Sequence, residues 1–204
     1  MANDFEDDDT TLDDMEDVLE DLDLDQALDG VIAAPEFVDP VAGIYYLRLA
    51  QFEQRTLLTD KRPVHMVSAV YQVVGVQDSG NPELDATIGG LFNENWRLGG
   101  SGIKDGEKMN ATEIVRMNKE QFLSRFKALE AGEATEGTMA ERMAQLCDRY
   151  DTDRFLKVAI KPRTSEEYVN IGKFKVISGD VTLDGVPGEF DADAFNFWYP
   201  KSRR

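Results

Sequence analysis

Three segments with the two-residue period of a β-strand are followed by two with the period of an amphipathic helix and then by two more strands. That order leaves few folds open. The first segment, GIYYLRLAQFEQR, begins at Gly43 and alternates Tyr45, Leu47 and Leu49 with Tyr46, Arg48 and Ala50. After the turn TDKRP, the Val- and Tyr-rich run from His65 to Gln77 predicts a second strand, which DSGNPELD ends. In IGGLFNENWRLGGSG, Phe92, Glu94 and Trp96 share one face while Leu91, Asn93, Asn95 and Arg97 share the other; the paired glycines predict a bulge and a flexible exit. Asn118 predicts a helix start ahead of Phe122, Phe126 and Leu129 on one face. Thr138 and Glu141 form a capping box before Met139, Met143, Leu146, Cys147 and Tyr150. RFLKVAIKP then alternates Phe155, Lys157, Ala159 and Lys161 with Leu156, Val158 and Ile160, and EYVNIGKFKVIS closes the series at Ser178.

Five strands with helices inserted between the third and fourth predict a mainly β fold with helices: a five-stranded, OB-like Greek-key barrel. An open α+β sheet has the same element order. With 204 residues the chain holds one domain's worth of core. The expected organisation is an arm over 1–30, a strand-rich body over 31–178 and an aromatic, basic extension over 179–204. In that extension Phe195, Phe197, Trp198 and Tyr199 are too apolar to hang in water, and they predict either a strap packed on the body or a docking peptide.

Charge divides the chain in the same place. Residues 1–30 carry 14 acids and no base, so the net charge of -18 separates into -14 for the arm and -4 for everything else. Such a segment repels itself and buries too little to offset its ordering entropy, so it is expected to be disordered alone. Leu12, Met15, Leu19 and Leu22 nevertheless fall on one stripe of a helix begun at Thr10 or Thr11, as in a segment that folds on a partner. A solubilising tail with incidental leucines has the same composition.

Against this background the stretch from Arg154 to Ser178 is an exception, with six bases and two acids. Single-strand binding needs cations for phosphates and aromatic faces for bases. The strands offer Tyr46 with Arg48, Trp96 with Arg97, and Phe155 with Lys157 and Lys161, followed by Arg163. Lys173 and Lys175 add charge from the last strand, and Arg55, Lys61 and Arg62 decorate the first hairpin. These thirteen residues are the candidate nucleic-acid site, although the aromatics would serve equally as core and the cations as solvated strand edges.

Catalysis is not expected. One Cys and one His cannot make a Cys/His zinc site or a disulfide framework. His65 heads a Val-rich strand beside Pro63, and Cys147 lies on an apolar helical stripe, where a buried thiol is expected. GGSGIKDGEK lacks the ending of a phosphate-binding loop. Asp21, Asp23 and Asp25 lack the Gly and Glu that a calcium loop requires, and Asp148, Asp151 and Asp153 read as a solvated helix end. No metal or cofactor is therefore expected. An acidic start and the lack of a long apolar run predict no signal peptide and no membrane span, hence a cytoplasmic setting.

The body resembles phage-encoded OB-fold single-stranded-DNA-binding proteins of replication and recombination. The resemblance is carried by VAGIYYLRLAQFEQR, HMVSAVYQVVGV, LFNENWRLGG, the helices ending before DTDRFLKVAIKPR, and EYVNIGKFKVIS, over roughly residues 40–178. It implies non-catalytic, sequence-independent coating of single-stranded DNA, with RNA as an alternative ligand, in a host cell's cytoplasm. Such proteins often carry an acidic C-terminal tail that recruits replication and recombination partners and competes for the groove; here the acidic arm precedes the body. A homo-oligomer is compatible with the sequence. The rival expectations are an acidic protein-binding module that mimics nucleic acid against a host enzyme, and a virion or scaffold component.

Overall fold

A computed structural model describes residues 34–58, 63–77, 80–99, 111–165, 169–188 and 198–199. The chain divides into two units, 1–33 and 34–204, and the described residues all belong to the second. The arm with Leu12, Met15, Leu19 and Leu22, the turn residues Lys61 and Arg62, and Phe195 and Phe197 lie outside the described residues.

Strands β1 (Gly43–Leu58), β2 (Pro63–Val76) and β3 (Leu91–Gly99) come first, with a one-turn helix α1 (Pro82–Asp85) between the last two. Helices α2 (Ala111–Glu130) and α3 (Met139–Arg149) follow, then β4 (Phe155–Thr164), β5 (Val169–Val181) and a short 3-10 turn at Leu183–Gly185. The strands form one mainly antiparallel architecture: a five-stranded sheet in the order β3-β2-β1-β4-β5, every neighbouring pair antiparallel. Among the described residues no ladder joins the two edge strands, β3 and β5. No described helix is long and apolar enough to cross a membrane.

The alternation that predicts the strands also sets their two faces. Tyr45, Leu47 and Leu49 of β1, Ala69, Tyr71 and Val73 of β2, Phe92 and Trp96 of β3, and Leu156, Val158 and Ile160 of β4 are buried in one cluster. Helix α2 adds Phe122, Phe126 and Leu129 to it, and α3 adds Met143, Leu146 and Cys147. Trp96 meets Phe122 edge-on with ring centroids 5.4 Å apart, and Tyr45 meets Phe92 the same way at 5.2 Å. Bulges between Tyr46 and Leu47 and between Leu49 and Gln51 bend β1. Its first residues pair with β4 as well as β2, while its second half pairs with β2 alone, whose other side carries β3.

The capping box at Thr138 forms as expected: the Glu141 amide donates to Thr138 Oγ1 at 3.3 Å, and the Thr138 amide donates to Glu141 Oε2 at 2.7 Å. Asn118, in contrast, is not a cap. Helix α2 begins at Ala111, and Asn118 lies within it because no Gly or Pro interrupts the preceding residues. Between the helices, Glu130 Oε1 accepts hydrogen bonds from the Thr135 amide (2.9 Å), the Thr135 hydroxyl (2.6 Å) and Arg142 Nη2 (2.9 Å). Burial alone would raise this carboxyl's pKa. The bonds from Thr135 and Arg142 outweigh it and hold the group at about 2.

Since the folded value lies below the ordinary 4.5, this carboxylate's stabilisation is complete above about pH 4.5 and is lost as pH falls through about 2. Urea unfolding across that window should show a steeper acid loss in the parent protein than in Glu130→Gln. Superimposable pH profiles would refute the linkage.

Candidate nucleic-acid interface

In an antiparallel pair, directly opposed residues point to the same side of the sheet. Lys161 of β4 lies opposite Lys173 of β5, Ala159 opposite Lys175, and Arg163 opposite Asn170. The opposite side of β4 carries the core residues Leu156, Val158 and Ile160. The outer face of the β4–β5 hairpin therefore collects Lys157, Lys161, Arg163, Lys173 and Lys175. Lys157 is half-buried and the other four are exposed. Among the described residues none of the five has a carboxylate within salt-bridge distance. Gly172 occupies the bulge in this strip, where a Cβ would come within 2.9 Å of Arg163 Cβ.

Arg154, the sixth base of the segment, is occupied elsewhere. Its guanidinium pairs with Glu133 at 2.9 Å and Asp180 at 3.3 Å and donates to the Gly179 carbonyl at 2.6 Å.

The candidate aromatics present almost no open ring surface. Tyr46, Trp96 and Phe155 are 6%, 4% and 0% exposed, too little for a base to stack on them. Trp96 shares the core face of β3. Tyr46 and Phe155 do face outward, but they pack into a second small cluster with Val74 and Val186, which the chain beyond β5 covers. Gly75, opposite Tyr46, permits that cover: a Cβ there would lie 2.6 Å from the Pro187 carbonyl oxygen. Lys157 Nζ sits 5.4 Å from the centroid of the covered Tyr46 ring, a pairing across β1 and β4 that the sequence reading did not make.

Arg48 departs furthest from expectation. It has no exposed surface and donates from Nη2 to Asp151 Oδ1, a carboxylate only 3% exposed itself. It is thus a buried structural cation, and Asp151 belongs to a buried ion pair, whereas a solvated helix end was expected. A cation in a region without water needs a counter-charge, and α3 ends where it can deliver one. Arg55 is exposed on the second half of β1 and donates to Asn95 Oδ1 at 3.2 Å; it and Arg97 both flank Met66 in register. These two form a separate basic spot and do not extend the β4–β5 strip.

The alternation did not reveal a buried polar group between β3, β5 and α2. Arg125 donates from Nε and Nη2 to the two oxygens of Glu94, both at 2.7 Å, and from Nη1 to the Phe174 carbonyl at 3.1 Å. Its guanidinium lies 3.9 Å from the Phe174 ring centroid. The Tyr71 hydroxyl donates to Glu94 at 3.2 Å. Burial pushes the Glu94 carboxyl up, against the pull of Arg125. The available signal was Glu94 itself, an acid on the same face as Phe92 and Trp96, which requires a buried cation partner. Above this network opens a cleft of about 590 Å³, lined by Trp96, Met117, Gln121, Ser124, Phe174 and, at its rim, Arg163 and Lys173. His65 is remote from it, its Nδ1 3.0 Å from Thr56 Oγ1.

Removing one partner of a buried pair strands the other's charge, which costs about 3–5 kcal/mol. Arg48→Met should lower unfolding free energy by that amount, and Arg48→Met combined with Asp151→Leu should recover most of it. Denaturant titration checks this; an unchanged midpoint in the single variant would contradict the structural role of Arg48.

Compared with known proteins, the chain matches no family model, no curated protein and no solved structure.

Proposed function

We propose that the protein binds single-stranded nucleic acid without reading its sequence, holding the phosphate backbone on the outer face of the β4–β5 hairpin. The observation that carries this reading is the strip Lys157, Lys161, Arg163, Lys173 and Lys175, with Lys161 directly opposite Lys173, in a chain of net charge -18. Like charges opposed across strands destabilise a sheet. A chain with 40 acids had many to spare for that position, so cations with no carboxylate partner among the described residues favour an anion supplied from outside. Lysines on an edge strand also discourage strand-to-strand aggregation; binding measurements separate the two roles.

The strand order supports an OB-type barrel that closes between β3 and β5. Both edge strands line the clefts at that seam, and the helical insertion falls between β3 and β4. The setting that fits is DNA replication or recombination of the phage type. With Tyr46, Trp96 and Phe155 buried, affinity comes from phosphate contacts and is strongly salt-dependent. The 14 acids of residues 1–30 compete with the strand for this strip and are released to partners when it binds.

Binding of the full chain to labelled oligo-dT, followed by fluorescence anisotropy against salt, tests this reading. Replacing Lys161 and Lys173 by Glu should weaken binding at least tenfold at low salt. Each single Ala variant of the strip should reduce the slope of log K against log salt by about 0.7. Unchanged binding by the double variant would overturn the strip. Absence of binding by the parent protein would favour the other reading, an acidic module that docks a protein in place of nucleic acid.

Deleting residues 1–30 should tighten oligo-dT binding most at low salt, with the two proteins converging as salt screens the arm's charge. Equal affinities at low salt would remove the competition.

A further inference from the structure

A cation strip alone does not explain preference for single strands, because duplexes carry phosphates too. We propose that the cleft between α2, β3 and β5 receives one unpaired nucleobase of the bound strand, turned inward beside phosphates held by Arg163 and Lys173. This deepens the reading of the β4–β5 face as a phosphate track and rests on it.

Three observations carry the assignment. The first is continuity: Arg163 and Lys173 belong both to the strip and to the rim of the cleft, so a backbone lying on the strip passes its mouth. The second is size, since about 590 Å³ falls within the range of small-ligand sites. The third is the chemistry of the lining. An unpaired base presents flat faces and a polar edge, and proteins meet it with aromatic or guanidinium planes and with hydrogen-bonding side chains.

The cleft supplies both. Arg125 lines it with a guanidinium pinned by two bonds to Glu94 and one to the Phe174 carbonyl and stacked at 3.9 Å on the Phe174 ring. Its plane is already ordered, so a base that contacts it incurs little further entropy cost. Met117 and Ile171 add apolar walls. Gln121 and Ser124, exposed on α2, have no hydrogen-bond partner among the described residues and can take the edge of a base. Because a platform reads faces, such a site tolerates any base and rejects a duplex, whose bases are stacked and paired.

The test compares a labelled oligo-dT with an abasic oligodeoxynucleotide of equal length, which keeps the phosphates and lacks the bases. The full-length chain is used with Ser124→Leu, which fills the cleft from an exposed helical position, and Gln121→Ala, which removes an edge contact. Stacking energies per base predict a preference of the parent protein for oligo-dT of roughly tenfold. Ser124→Leu should abolish that preference while leaving abasic binding unchanged, and Gln121→Ala should reduce it severalfold. Equal binding of the two oligomers by the parent would overturn the cleft and leave the phosphate track standing. A preference for oligo-dT that both variants retain would place the base elsewhere, which also overturns it. Failure to bind either oligomer would overturn both the cleft and the track.

Discussion

Strand β1 hydrogen-bonds two neighbours at once, and the rest of the sheet depends on that. Over Gly43–Leu47 it pairs with β4 on one side, while residues from Tyr45 onward pair with β2 on the other. Parting from β4 after Leu47, it continues along β2 past a second bulge between Leu49 and Gln51. Where it leaves, the Leu49 amide donates to the Tyr150 carbonyl at 3.2 Å and Arg48 pairs with Asp151, tying the end of α3 to the middle of the sheet. The return of the chain into β4 starts from that anchor. The buried pair thus lies just before β4, whose register the ladders to β1 and β5 then carry.

A second polar anchor joins α2 to the two edge strands. Glu94 comes from β3, Arg125 from α2, and the carbonyl and ring that complete the arrangement from Phe174 of β5. Each anchor pairs a guanidinium with a carboxylate brought from a distant part of the chain. They differ in consequence. Arg48 is fully enclosed, whereas Arg125 lines an open cleft beside the cations of the hairpin and can face a ligand without leaving its partners.

The electrostatics of the molecule are local. The net charge of -18 belongs mostly to residues 1–30, and five cations on one hairpin face stand without a described carboxylate. At physiological ionic strength charges interact over about 8 Å, so the strip's own neighbourhood governs what approaches it closely. That is how a chain of strongly negative net charge can carry a locally positive face.

Alternation and capping, which are properties of neighbouring residues, were legible in the sequence. They determined five strands in their order, the capping box at Thr138, the burial of Cys147 on its stripe and the shared face of Phe92, Glu94 and Trp96. The cations of β4 and β5 were legible too, because a strand keeps residues two apart on one side. Tertiary structure alone decided which outward faces meet water. Tyr46 and Phe155 point away from the main core and are still buried, since the segment around Val186 lies over them. Arg48 points the same way, and only the arrival of Asp151, 103 residues later, made it a structural ion. Periodicity divides a strand into two sides, but whether a side is solvent or interior depends on what distant chain packs there, and no local pattern encodes that.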